Sequence, residues 1–234
     1  MVNLPKPMNR KLILIFLLTI VQLSWAQDCD FEIRNLSNNL NGESELIDKA
    51  EYDKAVRISE EFIDFKPRSE IELTKKYPEI FKLKDSCYTF LANPNIGIGI
   101  KTPELKACKY LLKEKGYSNY EFKGTYCGNA LIEITEFEGW GFLSVDLKNG
   151  LTCRTMGKPL TSNGETAISH SNYYGEEEIA LTDLKTKEQY VIGIEGWRTI
   201  ESKVSKNSYY LKLESEFQTG CEKEIKYLKV EIKN

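Results

Sequence analysis

Histidine is almost missing from this chain. His170 is the only one among 234 residues. A Ser-His-Asp triad would have to be built on it, and no GxSxG elbow or HExxH helix accompanies it. Histidine-rich metal sites are excluded for the same reason. Phosphate cradles are also wanting: Asn93 to Lys101 (NPNIGIGIK) holds two glycines, but no GxGxxG follows a strand. The six cysteines form no CxxC pair, which argues against zinc ribbons and dithiol redox chemistry. Neither sign of charge dominates. The net charge is −3 with acids and bases interspersed, so there is no electrostatic footprint for nucleic acid or an anionic membrane. No low-complexity tract occurs and 41% of residues are hydrophobic, as in a folded chain. No cofactor, metal, nucleic-acid partner or catalytic residue is expected.

Long apolar runs are confined to one. Leu12 to Leu23 (LILIFLLTIVQL) follows Lys6, Arg10 and Lys11 and precedes Ser24-Trp25-Ala26. A basic flank, a short apolar stretch and small residues at the cleavage positions describe a secretory signal over residues 1–26. The run is shorter than the roughly 20 residues a spanning helix needs. Cleavage after Ala26 is expected, leaving no stable membrane insertion and a secreted or periplasmic protein. Cys29, Cys87, Cys108, Cys127, Cys153 and Cys221 all lie beyond that cut. An even count in an exported chain predicts disulfides throughout, and bridges kept within each half would join Cys153 to Cys221.

What remains reads as two parts. Residues 27–128 are expected to be helical or irregular and disulfide-linked. From Glu43 to Phe65 the apolar positions Ile47, Ala50, Ala55, Ile58, Phe62 and Phe65 recur at near-helical spacing, and Pro67 stops the run. Thr102, Pro103 and Glu104 suit a helix start, Lys113 and Lys115 a last turn, and Gly116 a stop, predicting a second helix. Residues 129–234 change texture. Alternating stretches such as ALIEITEF, WGFLSVDL and EQYVIGI are separated by Lys148-Asn149-Gly150, Ser162-Asn163-Gly164 and Lys185-Thr186-Lys187. Alternation with tight polar turns predicts an antiparallel β-meander. The predicted class is therefore α+β: a small helical part, then an open sheet or sandwich.

Two internal echoes stand out. Val145-Asp146-Leu147-Lys148-Asn149-Gly150 is matched by Thr182-Asp183-Leu184-Lys185-Thr186-Lys187, and Glu138-Gly139-Trp140 by Glu195-Gly196-Trp197. Their offsets differ, so at most one reports a repeat. The stretch from Trp140 to Leu213 resembles the blades of bacterial β-propeller-like secreted proteins of WD type. Thr161-Ser162-Asn163-Gly164 stands where those blades carry Ser-Pro-Asp-Gly, and Lys187 stands where they carry a second turn glycine. The length holds about two blades, too few to close a ring. The resemblance implies an open, propeller-like binding scaffold and does not specify a ligand.

Recognition candidates follow from residue type. Tyr173 and Tyr174 sit beside Gly175 in SNYYGEEE, and tyrosine offers large contact area at low entropic cost. Trp140 and Trp197 are read first as joints packed beside a glycine bend and second as ring platforms. Glu133, Glu136 and Glu138 precede Trp140, and EITEFE resembles the ExDxxE signature of jelly-roll glycosidases, with Thr135 in place of the aspartate. Paired carboxylates beside an aromatic ring are the chemistry of glycan hydrolysis. The sequence is thus read as a non-catalytic binding protein whose partner is a protein or a glycan. A small carboxylate glycan hydrolase is the alternative.

Overall fold

The computed structural model describes residues 30–55, 68–92, 104–109, 118–136, 139–161, 163–205, 208–216 and 223–233. The expected signal segment, Cys29, Cys221 and Glu138 lie outside them. The described chain is mostly β, with strands in three sheets and two short helices.

The first sheet is a meander of β6 (Ser118–Tyr126), β7 (Asn129–Glu136), β8 (Gly139–Asp146) and β9 (Leu151–Thr155). It is extended through a parallel pairing of β9 with β4 (Cys87–Ala92), which β3 (Leu83–Lys84) and β5 (Glu104–Cys108) flank. The second sheet is the next meander, β10 (Leu160–Thr161), β11 (Thr166–Tyr173), β12 (Glu176–Asp183) and β13 (Gln189–Glu195), with β1 (Arg34–Asn38) on β13. The third is β14 (Trp197–Ser205), β15 (Ser208–Ser215) and β16 (Ile225–Ile232), completed by β2 (Gly42–Ile47). Successive meanders, one of them curled into a half-barrel, are loosely compatible with the blade resemblance.

Burial explains the layering. In β15 (SYYLKLES) buried and half-buried residues alternate strictly, the mark of a sheet covered on one face. In β13 (QYVIGIE) every residue but the last is buried, because the second sheet is covered on both faces. One core lies between the second and third sheets, where Ile168, Leu181 and Ile192 meet Tyr209, Leu211 and Val230. A second fills the curl of the first sheet around Leu73, Phe81, Tyr88 and Leu143. A small third core joins the first sheet to the second through Leu131, Tyr126, Ala167 and Leu184.

The Asp-Leu-Lys echo is one turn built twice. Asp146 Oδ1 accepts from the Lys148 and Asn149 N–H groups, and Asp183 Oδ1 accepts from those of Lys185 and Thr186. Each turn ends on a residue with left-handed backbone, Gly150 (φ 74°) and Lys187 (φ 64°). The Glu-Gly-Trp echo is not one joint used twice. Gly139 opens β8 opposite Glu136, whereas Gly196 (φ 75°) turns the chain out of the second sheet into the third.

The α+β expectation is overturned: the first part of the described chain is not helical. Glu104–Cys108, expected within a helix, is β5. Its Leu105 and Ala107 are buried and Glu104 and Lys106 exposed, a period of two that pairs with β4 and outweighs the local cap signals. The remainder of that predicted helix lies outside the described residues. Of the helix expected from Glu43 to Phe65, residues up to Ile47 form β2 against β16, and only α1 (Lys49–Lys54) is helical before residue 56. Asp48 caps it, accepting from the Glu51 N–H at 2.8 Å. The other helix, α2 (Glu70–Lys76), lies over the first sheet.

The cysteines also depart from expectation. Cys87 and Cys108, opposed across β4 and β5, form a disulfide. Cys127 and Cys153 are free thiols, so the expected Cys153–Cys221 bridge is not made. Cys153 points from β9 into the contact between the first two sheets and is 1% exposed. Among the described residues no helix is long and apolar enough to cross a membrane.

Candidate functional site

Two hairpins from different sheets end side by side. On β8, Trp140 lies opposite Thr135 and shares its face with Phe142, which packs into the core joining the first and second sheets. On the second sheet, β11 and β12 close with Tyr173 opposite Glu176, leaving Tyr174 and Gly175 as a two-residue turn. Both turn residues have positive φ, 51° and 83°, the type I′ geometry that matches strand twist. Asn, Asp and Gly normally fill its first position, and a bulky side chain held there is strained.

The result is a ledge of three rings. The Trp140 and Tyr173 rings meet edge to face at 5.0 Å, and those of Tyr173 and Tyr174 at 4.3 Å. Trp140 and Tyr173 are half-buried, while Tyr174 is 85% exposed. Of the four sequence candidates, three therefore come together. The fourth does not: Trp197 is fully buried, donates from Nε1 to the Asp30 carbonyl at 3.1 Å, and packs against Phe31.

A row of charge continues from the ledge. Tyr173, Glu176 and Glu195 are direct neighbours across β11, β12 and β13. Arg34 of β1 reaches Glu176 at 2.6 Å and Glu195 at 3.7 Å. Two residues along β12 on the same face, Glu178 accepts from the Met156 N–H at 3.3 Å, and burial pushes its carboxyl above the usual range. Glu176 to Glu178 open β12 directly after the tight Tyr174-Gly175 turn.

Glu133 and Glu136, two of the carboxylates grouped before Trp140, do not converge. Glu133 and Glu136 stand three apart on a regular strand and so project to opposite faces. Glu133 is held by Lys123 at 2.6 Å and Glu136 by Arg154 at 3.0 Å. His170 lies on the other face of β11 from Tyr173. Its Nδ1 is 3.3 Å from the buried Glu177 Oε1, without the alignment of a hydrogen bond. Among the described residues no group of three His, Cys, Asp or Glu side chains is placed to hold a metal ion.

One buried polar cluster escaped sequence reading altogether. Lys187, fully buried, donates to Asn129 Oδ1 and to the Leu184 carbonyl, and burial lowers its pKa. The neighbouring Cys153 thiol is pushed up to about 11 by burial, and Tyr126 above its usual range. A cleft of about 240 Å³ opens nearby, lined by Arg68, Tyr77, Tyr126 and Cys127. Comparison with protein-family models, curated proteins and solved structures finds no match to this chain.

Proposed function

We propose that this protein is a non-catalytic binding module that works outside the cytoplasm, secreted or periplasmic, and contacts a protein or glycan through Trp140, Tyr173 and Tyr174. One observation carries the reading. Tyr174 presents 85% of its surface to solvent from a left-handed turn position that glycine or asparagine would fill without strain. An aromatic ring kept there contributes nothing to the core, and exposed tyrosines on a rigid sheet are typical contact residues. The Cys87–Cys108 disulfide fits an oxidising compartment, and the apolar Leu12 to Leu23 segment before Ala26 supports export to one.

Tyr174→Gly tests the reading cleanly, because glycine suits the turn and leaves the fold intact or slightly more stable. Ligands are sought by glycan array and by capture of extracytoplasmic proteins, then titrated while tryptophan emission is followed. Tyr174→Gly and Trp140→Ala should each weaken binding by about tenfold or more, the weight of a ring at a contact centre. A ligand bound equally well by the double variant would remove the ledge from the function.

A further inference from the structure

We infer that the ledge receives a basic segment of a protein partner, a lysine or arginine side chain lying over the tyrosine rings with its charge toward Glu176 and Glu195. This rests on the reading of the ledge as a contact surface. Glu176 and Glu195 are directly opposed across β12 and β13, where like charges repel. Among the described residues Arg34 serves both, and unequally: it is 2.6 Å from Glu176 but 3.7 Å from Glu195, whose side chain stays 81% exposed. The row therefore carries an unmet negative charge at its open end.

The rings beside it have the same preference. Tyr173 directly opposes Glu176, so the Cβ atoms of the two residues lie about 5 Å apart on one face. Tyrosine faces are electron-rich and attract ammonium and guanidinium groups. Arg154, whose charge also reaches Glu178, is bound to Glu136, and Glu178, on this same face of β12, accepts from the Met156 N–H. Carboxylates outnumber guanidiniums around the rings, and a cation arriving from solvent meets two attractive features on one line. An anionic ligand would be repelled, and a neutral sugar would use the rings without the carboxylates.

The probes are hexa-lysine amide, the same peptide with every lysine acetylated, and a neutral chito-oligosaccharide. Each is titrated against the whole protein, Tyr174→Gly and Glu195→Gln, with circular dichroism confirming that the variants are folded. The expected result is hexa-lysine binding that weakens about tenfold on acetylation, on Tyr174→Gly and on Glu195→Gln, and that falls with added salt. Equal binding of the acetylated peptide, no binding of hexa-lysine, or indifference to Glu195→Gln would overturn the inference. If the oligosaccharide alone binds and depends on Tyr174, the cationic partner falls while the ledge stands. If hexa-lysine binding depends on Glu195 but not on Tyr174, the ledge falls too.

Discussion

Trp140 and Trp197 share a tripeptide and almost nothing else. Trp197 is sealed between the second and third sheets with its indole N–H donated to the Asp30 carbonyl, whereas Trp140 is half-buried at the mouth of another sheet contact. Trp197→Ala should cost about 3–5 kcal/mol, the range for emptying a large aromatic site. Trp140→Ala should cost roughly 1–2 kcal/mol, since part of its surface already meets water. Urea denaturation of the two variants measures both, and equal losses would contradict the difference in burial. Lys187 makes the second residue-scale case. It occupies a left-handed position usually left to glycine, yet its ammonium is buried against Asn129 and the Leu184 carbonyl. Lys187→Met keeps the bulk, strands those two acceptors and should destabilise by about 1–3 kcal/mol. The same change at exposed Lys185 should stay within about half a kcal/mol of the parent.

At the scale of elements, α2 is too short to persist alone and depends on what it touches. Ser69 caps it, Leu73 is fully buried, and Glu70 Oε1 accepts from the hydroxyls of Tyr88 and Tyr120, each at 2.9 Å. Lys109 Nζ stands 3.6 Å from Glu70 Oε2 and 4.5 Å from the Tyr120 ring. Glu70→Ala leaves two phenols without that acceptor and should cost about 2 kcal/mol. Native-state hydrogen exchange should show the loss as faster exchange in α2 while β11 to β13 keep their protection. Uniform acceleration across all sheets would mean that α2 is not separately held. The disulfide acts on the same sheet. Joining Cys87 to Cys108 secures a cross-strand pair and, in the chain-entropy picture, stabilises by about 3 kcal/mol.

Several of the molecule's buried proton-linked groups titrate on the alkaline side of neutrality. Burial lifts the Cys153 thiol from the ordinary 9.0 to about 11 and, with help from Glu70, the Tyr88 phenol from 10.0 to about 12; Tyr120 and Tyr126 are raised as well. In the folded state these groups keep protons that the unfolded chain releases. Their contribution is therefore whole below about pH 9 and is lost as pH climbs through 11 and 12. Lys187 opposes the trend, since its lowered pKa adds stability as pH rises toward its ordinary 10.5, but it is one group against four. Stability at fixed urea should fall from about pH 9 upward. Cys153→Val should flatten the first part of the fall, between pH 9 and about 11. A stability curve level to pH 11 in the parent protein would refute the linkage.

Sequence by itself determined what short-range chemistry decides. The meander after residue 129 was legible because polar and apolar residues alternate between turn residues. The Asp146 and Asp183 turns were legible because each aspartate bonds backbone only two or three residues away. Tyr174 was legible as an exposed residue because it stands beside a turn glycine. Tertiary structure decided everything that depends on a distant partner. β1 and β2 join sheets made by residues far along the chain, and a strand completing a sheet edge overrode the helical spacing after Glu43. Pairing with β4 likewise overrode the cap signals at Thr102 to Glu104. Two identical tripeptides parted because one tryptophan meets two covered faces and the other meets a hairpin end. Trp140 and Tyr173 touch only because two sheets pack together, and no local pattern encodes that contact: burial and cross-strand pairing are summed over the whole fold, while propensity and capping act within one turn.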